Sequence, residues 1–261
     1  AKLDQIMSIA RERGIKVIED AAQAPWAQYQ GAHVGTIADI GVFSLNYHKH
    51  IHCGEGGIVV TNDDGYAQRL RLIRNHAEAV IDSSDPAELS NMLGYNFRLG
   101  EIEAAIATEQ LKKLEVNVAS RQRAVAWLNQ GLGSLHGVTT PHVSAGCTHV
   151  YYVYGMTLDT DRLGVSRQQL VDALRAEGVP GLMNGYQNVH LYPLFQHKIA
   201  YGTQGFPWNS PYVSRDISYA RGICPVAEKL HSQTFLGINI CLNDYAEEDV
   251  ELVVKAFKKV W

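Results

Sequence analysis

The sequence predicts an α/β fold. Short apolar runs that end on an acidic or polar residue alternate with stretches of helical periodicity, and Gly-rich turns separate them. LDQIMSIARERG has apolar residues at helical spacing and closes on Gly14. IKVIED then reads as a short buried strand that leaves Asp20 at its carboxyl end, where open parallel sheets gather ligands. ADIGVFSL is a second strand, GEGG a turn and IVVTND a further strand. DGYAQRLRLIRNH is a helix capped by its aspartates, and EAVIDSSDPAELS a polar excursion. LGEIEAAIATEQLKKLE starts a long helix, and a change of domain is expected near its end, at about Asn117.

This division gives a larger domain over residues 1–117 and a small α/β domain over 118–261. In the second, RQRAVAWLNQGL is helical and HVYYVYGMTL an aromatic-rich strand. SRQQLVDALRAEG is a helix with Ser166 as N-cap and Gly178 as its stop. The last helix, EEDVELVVKAFKKV, starts acidic and ends in lysines, which suits its dipole. Between these helices runs NVHLYPLFQHKIAYGTQGFPWNSPYVSRDISYARGICPVAE. A connection of that length in a compact domain is functional or disordered, and its aromatic content argues for function.

Composition excludes several classes. The net charge is −4, from 23 basic and 27 acidic residues in 261, with no long basic run. Nucleic acid and membrane surfaces are therefore unsupported partners. No apolar stretch approaches a membrane span, and the first residues form an amphipathic helix, not a signal peptide. Cys53, Cys147, Cys224 and Cys241 share no CxxC spacing, so a reduced cytoplasmic protein is expected.

The chemistry concentrates around Lys49 in GVFSLNYHKHIHCGEGG. A lysine that leaves an apolar strand for a Gly-rich turn, with a carboxylate at the end of a neighbouring strand, is equipped to hold pyridoxal 5'-phosphate (PLP) as a Schiff base. That cofactor is an electron sink only while its pyridine nitrogen is protonated, which calls for an anion against it; Asp20 fits. The amide of Gln23 can reach a second polar point on the ring, and the Ser44 hydroxyl a phosphate oxygen. Each hydrogen bond to a charged group contributes only about 1.5–3 kcal/mol, so such a site needs several anchors.

VIEDAAQA, VGTIADIGVFSLNYHK, GEGGIVVTND, GYNFRLGEIEAAIATEQLKKLE and CPVAE resemble, in order, the DegT-type PLP-dependent sugar aminotransferases of the aspartate aminotransferase fold, fold type I. The resemblance implies the Schiff-base lysine at Lys49, the pyridine-nitrogen carboxylate at Asp20, the glutamine on the phenolic oxygen at Gln23 and the phosphate serine at Ser44. It places at Asn96 the asparagine that crosses from the partner subunit to the phosphate, and so implies a homodimer or higher homo-oligomer. The family usually has histidine where this chain has Asn46. It also begins with a long stretch, not present here, that carries a phosphate-cradling Gly-Ser/Thr loop and the aromatic ring stacked on the pyridine. The chain thus corresponds to a C-terminal portion: part of the large domain plus the small one. A chain of this extent is expected to self-associate and to turn over little by itself.

Taken singly, each of these residues has a simpler reading: Lys49 as a solvated lysine, Asp20 as a turn residue, Gln23 and Ser44 as local caps, Asn96 and Arg98 as turn-shaping residues. The ordered set favours the cofactor. His48, His50 and His52, beside Cys53, would share one face of an extended segment as zinc ligands do, but ligands two apart on a strand reach one metal poorly, and no metal is expected. A non-catalytic PLP-binding domain is a third reading. The function the resemblance implies is transamination from glutamate or glutamine to a keto sugar, nucleotide-linked, of the kind used for cell-surface polysaccharide, with a keto cyclitol as the alternative acceptor. Arg98 and His190 are candidates for an anionic sugar nucleotide, and Tyr186 for a hydroxyl.

Overall fold

The computed structural model describes residues 1–78 and 92–261. The polar excursion expected over EAVIDSSDPAELS lies, past Glu78, outside the described residues. The chain packs as two units. One comprises Ala1–Arg123, His142–Tyr152 and Cys241–Asp244; the other Ala124–Pro141, Val153–Ile240 and Tyr245–Trp261.

The first unit opens with α1 (Leu3–Glu12) and a three-stranded sheet in the order β1 (Ile18–Asp20), β4 (Ile40–Ser44), β5 (Gly57–Val60). β1 runs parallel to β4, with Asp20 opposite Val42, and β5 returns antiparallel, with Gly57 opposite Ser44. Between β1 and β4 lies the hairpin β2 (Gln28–Tyr29) and β3 (Ala32–His33). Buried Glu19 anchors this connection: its Oε2 accepts from Gly35 N–H and its Oε1 from Ile37 and Ala38 N–H, each at 2.8 Å. Glu19 faces inward while its neighbours Ile18 and Asp20 face outward, the alternation of a strand. The same connection presses on β4, where a Cβ at Gly41 would fall inside the Gly35 carbonyl, so only glycine fits.

Ala27, Leu45, Ile51, Cys53, Leu114, Val118 and Val150 form a core beneath the turn that follows β4. α2 (Asp64–Arg74) starts where Asp63 Oδ1 accepts from Tyr66 N–H at 2.9 Å, the capping expected from its aspartates. The long helix expected over LGEIEAAIATEQLKKLE is instead two, α3 (Glu101–Leu111) and α4 (Leu114–Leu132), broken at Lys112 and Lys113. α3 has no buried residue, although Ile102 and Ile106 lie on it, Ile102 at 74% exposure. The edge strand β1 likewise leaves Ile18 62% exposed.

α4 runs unbroken through Asn117, and its residues from Ala124 onward belong to the second unit. That unit is built on an antiparallel sheet in the order β6 (Val138–Thr139), β7 (Tyr154–Leu158), β9 (Phe235–Ile238), β8 (Leu182–Met183). The strand expected over HVYYVYGMTL begins only at Tyr154. After the short α5 (Thr160–Leu163), α6 (Arg167–Ala176) opens on a capping box between Ser166 and Gln169 and ends before Gly178, whose φ of +84° suits glycine. α9 (Glu247–Val260) packs Val250, Val253 and Phe257 inward, and its Lys259 pairs with Glu177 at 2.7 Å. Phe257, Tyr154, Leu174 and Leu236 are fully buried, each contributing about 1.5–3 kcal/mol by leaving water.

The long aromatic connection is ordered around short elements: a 3₁₀ turn (Val189–Leu191), α7 (Pro193–Gln196), α8 (Pro225–Lys229) and a π-helical turn (Leu230–Thr234). Phe195, Trp208 and Tyr219 pack ring against ring within it. Buried Arg167 fixes the π turn: one guanidinium nitrogen sits among the carbonyls of Asn184, Leu230, His231 and Phe235, at 2.6 Å from that of His231.

Candidate active site

The parallel pairing of β1 and β4 brings two strand ends together, Asp20 on one and Ser44 on the other. Asp20 is exposed, and its Oδ1 accepts from Ala22 N–H at 3.1 Å, which shapes the turn carrying Gln23. Gln23 itself is exposed. Ser44 Oγ accepts from Asn46 N–H at 3.2 Å, leaving its hydroxyl proton to donate elsewhere.

Asn46, the departure from the family pattern, organises the turn between β4 and β5. Its Nδ2 donates to Glu55 Oε1 at 2.6 Å, its Oδ1 accepts from His48 N–H, and its carbonyl accepts from Lys49 N–H at 3.0 Å. Leu45 pairs with Gly56 and Cys53 across the base of this turn. Residues 47–51 are turn and bend, not the extended segment that would align three histidines. His50 is 3% exposed and its Nε2 donates to the Val150 carbonyl at 2.7 Å, while His52 is exposed and the His48 ring leans on Tyr152. Burial pushes the His50 pKa down to about 4, which keeps the ring neutral.

Lys49 emerges partly buried above this base. Its Nζ lies 4.4 Å from the centroid of the Tyr152 ring. Burial lowers its pKa, and Cys241 and Asp20 act in the opposite direction. Of those two, Asp20 supplies the negative charge at neutral pH, because burial raises the Cys241 thiol to about 11 and leaves it protonated. A lysine of this kind has a larger neutral fraction than a solvated one, so it can attack an aldehyde. With an anion at the adjoining strand end and a free hydroxyl proton on Ser44, the donor set fits PLP: Lys49 for the aldehyde carbon, Asp20 for the ring nitrogen, Ser44 for phosphate.

Asn96 and Arg98 form a cluster of their own in the first unit. Asn96 is exposed and pairs through its backbone with Asn75, whose Oδ1 accepts from Arg98 at 2.6 Å. Among the described residues no hydrogen bond or ion pair joins Asn96 or Arg98 to Lys49, Asp20 or Ser44. Tyr186 and His190 belong to the second unit. Tyr186 is 63% exposed, whereas His190 is partly buried with its Nε2 2.9 Å from Glu228 Oε1. Burial pushes the Glu228 carboxyl up, but donors from Gly222 N–H, His190 and Cys224 N–H outweigh that and hold it below the usual range. His190 therefore ties the 3₁₀ turn to α8.

The DegT/DnrJ/EryC1/StrS aminotransferase family model matches residues 1–234. The chain belongs to this family. Its curated relatives include the GDP-perosamine synthase of Caulobacter vibrioides, 35% identical over 75% of this chain and 51% of that protein. Another is the L-glutamine:2-deoxy-scyllo-inosose aminotransferase of Streptoalloteichus tenebrarius, 31% identical over 94% of this chain and 60% of that one. Among solved structures, a DegT DnrJ EryC1 StrS aminotransferase from Brucella abortus superposes with a TM-score of 0.77 at 26% identity, over 99% of this chain and 61% of that one. An aminotransferase from Psychrobacter cryohalolentis gives 0.80 at 25%, over 99% and 65%. The α/β architecture is thus that of the PLP-dependent DegT-type aminotransferases, and the chain spans about half to two thirds of these proteins' lengths.

Three residues around Lys49 carry no signal in the sequence pattern. Tyr152 sits in an aromatic run that reads as strand. Cys241 arrives from the far end of the chain. Arg121, buried, donates to the carbonyls of Asn117 and Cys241 and to Asp244 Oδ1 at 2.7 Å, fixing the Cys241 segment in the first unit.

Proposed function

We propose that this chain carries the cofactor lysine of a PLP-dependent aminotransferase that moves an amino group from glutamate or glutamine to a nucleotide-linked keto sugar. The partly buried amine of Lys49, its pKa lowered, beside the Asp20 charge is the observation that carries this reading. PLP, when bound, supplies the electron sink for the charge left on the donor carbon. Asp20 would keep its ring nitrogen protonated, Ser44 would donate to its phosphate, and Gln23, on the turn after β1, would serve its phenolic oxygen. Lys49, once its amine is free, takes the proton from the donor carbon on Nζ and delivers it on the other side of the transfer. Asn96 of the partner subunit completes the phosphate site, which makes the working form a homodimer or higher homo-oligomer. Arg98 and His190 would serve an anionic sugar nucleotide, and Tyr186 a sugar hydroxyl.

A keto cyclitol as acceptor is the second reading, supported by the relative that acts on 2-deoxy-scyllo-inosose. Cytoplasmic residence accords with four free cysteines and with the lack, among the described residues, of any helix long and apolar enough to cross a membrane.

The test is borohydride reduction of the PLP-loaded protein followed by peptide mapping. The pyridoxyl group is expected on Lys49, and a label on another lysine with Lys49 unmodified overturns the reading. In a separate, unreduced sample glutamate or glutamine serves as donor with a nucleotide keto sugar and a keto cyclitol offered in parallel, and the faster acceptor decides the substrate class.

A further inference from the structure

A lysine that carries a proton between two positions needs a place to hold its charged head. The face of Tyr152 meets Lys49 Nζ at 4.4 Å, within the reach at which an ammonium is attracted to an aromatic ring. The ring is 6% exposed and the segment it ends is tied down. Val150 O accepts from His50 Nε2 at 2.7 Å, His149 O from Gln122 Nε2 at 3.0 Å, and Thr148 exchanges two hydrogen bonds with Gln28. The His48 ring closes the side, 5.8 Å from Tyr152.

We propose that Tyr152 is a positioning residue for Lys49, whose ring face seats Nζ as the ammonium whenever that amine is free of cofactor and substrate. The proposal rests on the reading of Lys49 as the cofactor lysine. The other groups around Nζ leave this task to the ring. Asp20, from the end of β1, contributes charge, while its Oδ1 is engaged with Ala22 N–H at 3.1 Å. Cys241, from the returning segment, is a neutral thiol, and Arg121 behind it is a cation engaged with carbonyls and Asp244. His50 points its Nε2 at Val150, and neither it nor His48 is an anion. A carboxylate in contact would hold the ammonium too firmly for it to give up its proton. A π face holds it weakly and does not itself accept the proton.

Trace acetylation of Lys49 by acetic anhydride, measured peptide by peptide from neutral to alkaline pH, reads the amine directly in the cofactor-free protein. Tyr152→Leu keeps the apolar bulk and removes the ring, so the pH of half-labelling is expected to fall by about 0.4–1.5, roughly a 2- to 30-fold change in the proton equilibrium. Tyr152→Phe keeps the face and is expected to stay with the wild type. An unchanged midpoint in Tyr152→Leu, or an equal fall in Tyr152→Phe, overturns the proposal. Lys16, paired with Asp39 in the same unit, is the internal control. Should Lys16 shift in Tyr152→Leu because the fold is disturbed, Tyr152→Trp decides: it presents a stronger face, so its midpoint must equal or exceed that of the wild type, and a fall overturns the proposal. Borohydride mapping reports separately on whether Lys49 takes the cofactor, so either idea can fail alone.

Discussion

Replacing Glu19 tests how the strand that ends in Asp20 is held in place. The carboxylate is buried and accepts three backbone N–H groups, from Gly35, Ile37 and Ala38, each at 2.8 Å. Hydrogen bonds to a charged group contribute about 1.5–3 kcal/mol each, and a buried donor left without a partner costs about 1–3 kcal/mol. Water entering the space left in Glu19→Ala recovers part of that, so a loss of about 3–5 kcal/mol is expected, a large share of the roughly 5–15 kcal/mol that stabilises a typical domain. Glu19→Gln separates the two oxygens: the amide oxygen can keep Ile37 and Ala38, but its NH₂ then faces the Gly35 N–H, donor against donor. About half the loss is expected there. Urea unfolding of both variants, followed by fluorescence and far-UV dichroism, gives the midpoints, with the slope unchanged if only the native anchor is lost. A Glu19→Ala loss below about 1 kcal/mol, or Glu19→Gln as damaging as Glu19→Ala, would refute the three-donor account.

His50, neutral in the fold with its pKa near 4, takes up a proton more readily when unfolded, near 6.5. Its contribution is therefore complete above 6.5 and lost as pH falls toward 4, up to about 3 kcal/mol; His50→Gln keeps a donor for the Val150 carbonyl and should flatten that part of the stability profile, and an unchanged profile counts against the burial argument. Gly41→Ala should cost about 3 kcal/mol or more because its Cβ meets the Gly35 carbonyl, whereas Gly31→Ala, with open space but φ of +83°, should cost roughly 1 kcal/mol; equal thermal shifts would contradict this. Asp20→Asn should still allow pyridoxyl labelling of Lys49 while slowing the glutamate half-reaction by about two orders of magnitude or more, as loss of an aimed charge does; a rate within about threefold of wild type removes Asp20 from the chemistry.

Local signals in the sequence correspond to local structure. Asp63, Ser166 and Gly178 stand at the helix ends where their side chains or φ angles are used, and Asp20 and Ser44 end two strands of a parallel pair, with Lys49 in the turn that follows. The break between α3 and α4 has no such sign, since Lys112 and Lys113 are good helix formers. VYYVY has strand composition, yet its first residues serve the Lys49 turn, and packing overrides propensity. Arg121, Cys241 and the His190–Glu228 pair join positions remote in sequence, which no periodicity encodes. Asn46 looked like a gap in a motif and is instead the hub of the turn.

The four carbonyls gathered by Arg167 set how the second unit should respond to solvent. Its surface ion pairs, Lys198 with Asp216 and Lys259 with Glu177, weaken when salt screens them or acid protonates their carboxylates. Arg167 answers to neither agent. Its partners are peptide dipoles that do not titrate, and although burial lowers its pKa the guanidinium stays charged across the range in which the protein would be handled. High ionic strength and mild acid should therefore loosen the rim of this unit while the π turn keeps its shape.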